Sequence, residues 1–225
     1  MRLILRVIAI CFGSTALFGC SATTSSSNST SSTMSTQASP VPNRYLASGF
    51  QADPARGIVL AIAPVPMAGD LAARIDVGFD RSFGDTPGFQ LRASSTQLRT
   101  RMNGDRQLVL LMNRIFKLED DWKPGTNPPG LDSILPEHEL ARLRDVLMES
   151  DVFLVPNTFV FQPDGKTTSG HFTARVYDLR TGRLLLRDTF QQSLPSGATA
   201  EVGIAMELVL AANTAISRAL APSAR

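Results

Sequence analysis

Residues 171–190, HFTARVYDLRTGRLLLRDTF, carry the strongest β-hairpin pattern in the chain. Apolar and polar residues alternate from 172 to 177, which is the period of a half-buried strand. The segment 178–182, Asp-Leu-Arg-Thr-Gly, predicts a turn in which Gly182 takes the left-handed position. Residues 184–190 then return as the second strand. The hairpin predicts a β-sheet, to which the rest of the chain contributes further elements.

The residues on either side of the hairpin predict one more strand and a long helix. Residues 152–161 are apolar enough for a strand that continues past Pro156, and residues 162–170 predict the turn into the hairpin. Downstream, apolar and small residues recur at helical spacing from 202 to 220, and Pro222 predicts the end of that helix.

Upstream, the chain predicts three further strands. Residues 58–63 are a continuous apolar run between a glycine and a proline, which is typical of a strand covered on both faces. Residues 74–80 and 89–93 alternate between apolar and polar side chains. They predict two half-buried strands around a turn rich in glycine, aspartate and proline.

Two helices are predicted between these strands and the hairpin. Apolar residues from 108 to 116 follow the spacing of one helical face, with Asp105 placed to cap its start. A strand over 107–116 is the competing interpretation. Pro136 opens the second helix, whose apolar stripe runs from 140 to 147.

The order of these elements indicates the α/β (α+β) class, with a mixed, largely antiparallel sheet packed with helices in a single domain over 41–225. The chain has 225 residues, is 43% hydrophobic and carries a formal net charge of +2. Loss of Arg2 and Arg6 with a cleaved leader would reduce the 22 Lys and Arg residues to 20, against 20 Asp and Glu residues. A neutral mature protein gives no reason to expect a nucleic-acid partner.

The first residues of the chain have the composition of a signal peptide. Arg2 and Arg6 precede an apolar run over 7–17, and Gly19 supplies the small residue of a cleavage site. The run is too short for a membrane-spanning helix, which needs about 20 apolar residues. We therefore expect residues 1–19 to be removed.

Residues 17–20, Leu-Phe-Gly-Cys, resemble the lipobox of bacterial lipoproteins, whose cysteine becomes the lipidated N-terminus. Phe18 departs from that pattern, because its position more often holds a small residue. The resemblance implies that Cys20 carries fatty acids such as palmitate and anchors the protein in a membrane. Ser21 is similar to the outer-membrane form of the sorting signal, which implies a domain in the periplasm and leaves surface display open. An ordinary signal peptide that ends near a cysteine, or a buried apolar helix, is the alternative.

Residues 20–40 are predicted to be the lipidated cysteine followed by a flexible tether. Residues 21–40 are nearly all Ser, Thr, Ala, Asn and Gln, so they cannot bury enough surface to fold. Such a coil would reach roughly 25 Å on average and about 65 Å when extended. Cys11 leaves with the signal peptide and Cys20 is acylated, so no thiol remains for a disulfide, a metal or a nucleophile.

The last third of the chain, with its strand over 152–161, its hairpin and its closing helix, resembles the periplasmic domains of outer-membrane accessory lipoproteins. The curli-secretion channel lipoprotein and the lipoprotein activators of penicillin-binding proteins are examples. The resemblance implies a binding or assembly role and assigns no functional residue. It leaves a homo-oligomer open.

A turn-rich segment over 119–135 is the first candidate site. It contains Trp122 beside Asp120 and Asp121, and loops of this length in compact domains are often functional. We expect these three residues to bind a protein partner. The acidic run could instead bind calcium or an amine, or be a solvated turn, and it lacks the alternating ligands of a calcium loop.

The two histidines are the remaining candidates. His138-Glu139 begins a zinc-protease helix signature, but Arg142 stands where the second ligand should be. His171 could pair with Ser169 or Asp178 in a hydrolase or a ligand-binding site, although no nucleophile-elbow motif is present.

The sequence therefore favours a lipid-anchored envelope lipoprotein that is not an enzyme, needs no cofactor or metal, and docks as an accessory or assembly factor on another envelope protein. The alternative is a periplasmic ligand-binding protein or hydrolase that uses His171.

Overall fold

The structure, a computed structural model, describes residues 44–47, 50, 52, 55–118, 126 and 128–221. The predicted signal peptide, Cys20 and the tether lie outside the described residues, as do Asp120, Asp121 and Trp122.

The elements are β1 (Tyr45–Leu46), β2 (Ile58–Ile62), α1 (Asp70–Gly84), β3 (Phe89–Ala93), α2 (Ser95–Met102), α3 (Arg106–Lys117), a short 3-10 helix (Leu131–Ser133), α4 (Glu137–Val146), β4 (Val152–Pro156), β5 (Val160–Asp164), β6 (Thr167–Asp178), β7 (Leu184–Pro195) and α5 (Ala200–Leu220). The described strands form one sheet in the order β1-β7-β6-β4-β2-β3, and β5 pairs with β6. β2 runs parallel to β3 and β4, and the other pairings are antiparallel. The predicted α/β class, with a mixed, largely antiparallel sheet in a single domain, is confirmed.

Helices cover both faces of the sheet. β2 is buried along its whole length, as its continuous apolar run predicts. On one face, α1 and α5 pack on a core that includes Leu60, Leu154, Val176, Phe79 and Leu208. On the other face, α2, α3 and α4 pack on a core that includes Ala61, Phe153, Tyr177, Leu111 and Leu143.

The predicted hairpin over 171–190 is confirmed as part of a longer one, in which β6 and β7 each have 12 residues. Asp178 fixes the turn, because its carboxylate accepts hydrogen bonds from the Arg180 N–H at 2.8 Å and the Thr181 hydroxyl at 3.0 Å. Gly182 has the expected positive φ, 75°. The hairpin is longer than β4 and β1, so its open end extends past both, and β5 pairs with the β6 side of that end.

The closing helix is confirmed as α5. By length and composition it is the one helix of the described residues that could cross a membrane. Its apolar residues pack on the sheet through Ile204, Leu208, Ala212 and Ile216. We therefore interpret α5 as a core helix.

Residues 74–80, predicted as a half-buried strand, belong to α1, so that prediction is wrong. Ile75 and Phe79 satisfy both a strand and a helix period, because they are four residues apart. Val77, which a strand would bury beside them, is 48% exposed. The strand over 89–93 is confirmed as β3.

The segment before the hairpin differs from the prediction in two ways. The strand predicted over 152–161 is two strands, β4 and β5, which pair with different halves of β6. The turn predicted over 162–170 is wrong in extent, because β5 continues to Asp164 and β6 begins at Thr167. Gly165, with φ 56°, supports the tight turn between them, and Asp-Gly is a hairpin signal.

The helix predictions at 105–116 and 136–147 are confirmed as α3 and α4, and the competing strand over 107–116 is wrong. The Asp105 carboxylate caps α3 by accepting from the Gln107 and Leu108 N–H groups. Helix α2 was not predicted, although Ser94 and Gln97 form the reciprocal hydrogen bonds of a capping box.

Candidate functional site

The long hairpin leaves one face of its open end outside the helical layers. Three cross-strand pairs line this face: Ser169 with Ser193, His171 with Gln191, and Thr173 with Thr189. Each of these six side chains is half-buried or exposed. We call these six residues the polar strip.

The opposite face of the same strands is buried and rigid. Phe172 stacks on Phe159 with ring centroids 4.3 Å apart and on Phe190 at 5.4 Å. Gly170 lets α5 come close, because a Cβ there would lie 2.5 Å from a methyl group of Ile204. The polar strip is therefore held on a packed scaffold, which keeps its groups in fixed positions.

Two buried arginines mark the boundary between the helical layer and the polar strip. Arg175 and Arg187 face each other across β6 and β7 and are 2% and 6% exposed. Arg175 donates to the carbonyl oxygens of Ile115 at 3.1 Å and Phe116 at 3.5 Å. These carbonyls belong to the last turn of α3, where the helix dipole favours a cation. The α3 layer thus ends against this arginine pair.

The strip contains no carboxylate, lysine or arginine, and its five residues other than His171 carry neutral hydrogen-bonding groups. The Thr173 and Thr189 hydroxyls are 3.0 Å apart, and the Ser169 hydroxyl donates to the Gln162 carbonyl at 3.3 Å. Among the described residues, no hydrogen bond or ion pair joins His171 to another side chain. The serine, threonine and glutamine groups of this surface can exchange hydrogen bonds with a partner without desolvating a formal charge.

The structure does not bring the predicted catalytic partners together. Asp178 lies seven residues beyond His171 on β6, about 23 Å away at the rise of a strand. Its carboxylate is engaged in the hairpin turn. Ser169 shares a face with His171, but its hydroxyl is bonded to Gln162. The hydrolase interpretation therefore gains no assembled catalytic pair from the described residues.

The carboxyl ends of β2 and β3, where α/β sheets often bind ligands, are filled by the chain's own polar groups. The Arg99 side chain donates to the Asp76 carboxylate and to the carbonyls of Val65 at 2.8 Å and Met67 at 3.2 Å. The other Asp76 oxygen accepts from the Val65 N–H at 2.9 Å. This network, the Asp76–Arg99 clamp, uses the polar groups at this position for contacts within the chain.

The residues of the failed zinc signature lie beside an open groove of about 680 Å³ between α3 and α4. Glu139 pairs with Arg114 at 2.6 Å, and Arg142 pairs with Asp105 at 3.1 Å. The Glu139 and Arg142 side chains of α4 therefore connect this helix to α3. Among the described residues, no three His, Cys, Asp or Glu side chains group as a metal site.

Sequence reasoning placed the candidate binding residues at Asp120, Asp121 and Trp122 and did not identify the polar strip. The signal was present, because polar residues recur at every second position on both strands at the open end of the hairpin, in 169–173 and in 189–193. The sequence alone does not show where the helical layer ends. The position of that end determines that these side chains stay accessible.

No family model matches the chain, and no curated protein matches it. Three solved structures match the chain with TM-scores below 0.5. A hypothetical protein, CT253, from Chlamydia trachomatis has a TM-score of 0.44 and 11% identity, and the match covers 72% of this chain and 96% of that one. PelC from Paraburkholderia phytofirmans, crystallised as a dodecamer, has a TM-score of 0.42 and 9% identity over 80% of this chain and 96% of PelC. Lipoprotein GNA1162 from Neisseria meningitidis has a TM-score of 0.41 and 13% identity over 72% of this chain and 99% of that one. At such low values we transfer no property of these proteins to this chain.

Proposed function

We propose that this protein is a lipid-anchored lipoprotein of the cell envelope that docks, as a non-catalytic accessory or assembly factor, on another envelope protein. Acylated Cys20 would hold it at the outer membrane, and residues 21–40 would let a periplasmic domain search for its partner. The sequence supports the anchor through its resemblance to a lipobox, and the polar strip supports the docking role.

The polar strip carries this proposal because it combines accessibility with rigidity. Its groups lie on paired strands packed against α5, so few degrees of freedom are lost when a partner binds. Apart from His171, its donors and acceptors carry no formal charge, so burying them requires matched hydrogen bonds more than compensation of charge. These properties suit a protein surface better than an ionic ligand.

The segment with Asp120, Asp121 and Trp122 is retained as a predicted second contact. The described residues on either side of it, Leu118 and Pro128, line one small cavity together with Arg175 and Arg187. Leu118 and Pro128 therefore lie beside the arginine pair, at the boundary of the polar strip. A partner on the strip would be within reach of this segment.

The test is a paired substitution that adds charge to the strip. The double variant His171→Glu/Thr173→Glu is compared with Thr214→Glu, which alters an exposed residue of α5. Full-length proteins are extracted in mild detergent, sized, and analysed by mass spectrometry for a stoichiometric envelope protein. We expect the strip variant to lose that protein, because two unpaired carboxylates would have to be buried at the interface.

The control should retain the partner, and both variants should unfold at the temperature of the parent. Retention of the partner by the folded strip variant would contradict docking through this face. A parent that runs as a monomer without a stoichiometric partner would contradict the docking function itself.

A further inference from the structure

His171 lies at the centre of an accessible face that spans three strands. The pairing of β5 with β6 places Val160 opposite His171, and the pairing of β6 with β7 places Gln191 on its other side. Ser169 and Thr173 are its neighbours along β6, because side chains two residues apart lie on the same face of a strand. His171 is half-buried, whereas Val160 and Gln191 are exposed. The imidazole therefore has four uncharged neighbours on this face.

The charged residues of the same face lie at its margins. Each is four residues along its strand from the row that contains His171: Asp164 on β5, Arg175 on β6 and Arg187 on β7. Four residues span about 13 Å at the rise of a strand, which exceeds the Debye length of about 8 Å at physiological salt. Tyr177, the remaining titratable residue of this face of β6, is six residues from His171 and 1% exposed. Lys166 lies in the turn between β5 and β6, five residues from His171.

The two protonation states of His171 give the polar strip different properties. Histidine is the side chain whose charge ordinarily changes between pH 5 and 8. In its neutral form, the imidazole is one more uncharged hydrogen-bonding group of the strip. In its protonated form it is a formal charge, which a partner that covers the strip must remove from water. Burial disfavours the charged form of a histidine, so docking and protonation compete.

We propose that protonation of His171 releases the docked partner, so that docking on the polar strip weakens as the pH falls. This inference rests on the proposed docking function and adds its regulation. The neighbours of His171 determine the sign, because none of them can compensate an imidazolium charge. The partner surface that fits this arrangement is uncharged where it covers His171, since a carboxylate there would favour the protonated form.

The number of protons involved limits the size of the effect. One proton linked to docking changes the Kd by at most tenfold per pH unit. Histidine takes up most of its proton between pH 7.5 and pH 5.5, so this limit applies over only about half of the interval. We therefore expect the Kd of the parent to rise about tenfold from pH 7.5 to pH 5.5.

The chain offers a matched control, because it contains two histidines, His138 and His171. His138 is exposed on α4, outside the polar strip. The probe is the stoichiometric envelope protein that co-elutes with the full-length chain, purified separately. Its Kd for the parent, His171→Gln and His138→Gln is measured in mild detergent at pH 7.5 and at pH 5.5. The quantity compared is the ratio of the Kd at pH 5.5 to the Kd at pH 7.5.

The ratio should be about ten for the parent and for His138→Gln. It should be close to one for His171→Gln, whatever the absolute affinity of that variant, because glutamine does not titrate. His171→Lys carries a charge at both pH values, so its ratio should also be close to one and its Kd at pH 7.5 at least tenfold above that of His171→Gln. Circular dichroism at both pH values checks that each protein is folded.

Calorimetry supplies a measurement that needs no substitution. Docking of the parent at pH 6.5 should release a fraction of one proton per complex, which is detected as a binding enthalpy that depends on the ionisation enthalpy of the buffer. Proton uptake on docking, or the same Kd ratio for His171→Gln and the parent, would overturn the regulation and leave the docking function standing. A parent without a stoichiometric partner at pH 7.5 would overturn both.

Discussion

Replacement of Asp76 by alanine is the most informative test of how this fold is held together. The Asp76 side chain is 2% exposed and holds α1, the loop after β2, and α2 through two partners. Truncation removes the acceptor of the Val65 N–H and the acceptor of Arg99. The two donors then differ in how well water can replace the lost carboxylate.

The expected loss follows from that difference. Val65 is 1% exposed, so its N–H stays unsatisfied, at a cost of about 1–3 kcal/mol. The Arg99 side chain is 32% exposed, so water can solvate much of its guanidinium and the added cost is small. We expect a decrease of about 2 kcal/mol in the free energy of unfolding at pH 7, or a lower Tm by roughly 4–8 °C for a domain of this size.

The pH dependence has a definite sign. Burial raises the pKa of Asp76 above its ordinary value of 3.8, and the hydrogen bond from Arg99 only partly opposes this shift. A carboxyl group with a raised pKa in the folded state contributes stability below pH 3.8 that is lost as the pH rises through the folded pKa. The alanine variant lacks this loss, so the difference between the parent and Asp76→Ala should be larger at pH 4 than at pH 7.

Urea unfolding followed by circular dichroism at both pH values measures this difference. Asp85→Asn is the control, because Asp85 is exposed at the end of α1 and should change stability by less than about 0.5 kcal/mol. An Asp76→Ala variant as stable as the control, or a difference that grows from pH 4 to pH 7, would refute the reasoning.

Two further substitutions test the packing and the backbone. Gly170→Ala should reduce stability by about 1–3 kcal/mol, because its Cβ would lie 2.5 Å from Ile204. Gly84→Ala is the control and should not reduce stability, because a Cβ there meets no neighbouring atom. Thermal unfolding compares the two variants. Glu149→Gly should stabilise the domain by about 0.5–1 kcal/mol, because Glu149 has φ 55° in the turn after α4. Glu207→Gly, within α5, is its control and should cost about 1 kcal/mol in the same unfolding assay.

The sequence predicted best the elements whose local and tertiary preferences agree. The β6–β7 turn is specified locally, since Asp178 binds the turn backbone and Gly182 takes a positive φ. β2 is apolar throughout because helices cover both of its faces. Helix α3 begins where the Asp105 side chain caps it. In each case one short segment contained enough information to determine the element.

Helix α1 was missed because its sequence satisfies two periods over a short window. Ile75 and Phe79 fit either a strand or a helix. Only the burial of Ala72 before them and of Phe83 after them distinguishes the helix from the strand. The β4–β5 segment was misread for another reason. Its two strands pair with separate halves of β6, and no local pattern determines which part of a longer strand each one joins.

The polar strip could not be assigned from the sequence because its accessibility depends on distant elements. Thr173 and Arg175 occupy the same face of β6, yet Arg175 is buried beneath the last turn of α3 and Thr173 is not. The length of α3 and its docking on the arginine pair thus determine where the covered face ends.

Arg44, which precedes β1, lies at the boundary of the polar strip and so relates the strip to the proposed anchor. Arg44 lies next to Asp188, at the boundary between the buried base of β7 and its open end. A tether that ends at residue 40 attaches within about 14 Å of this point, by the length of an extended chain. If Cys20 carries the lipid, the attachment point of the tether lies beside the strip and not at the far side of the sheet. The strip and the membrane attachment would then lie at one end of the domain, where the strip can face an envelope partner.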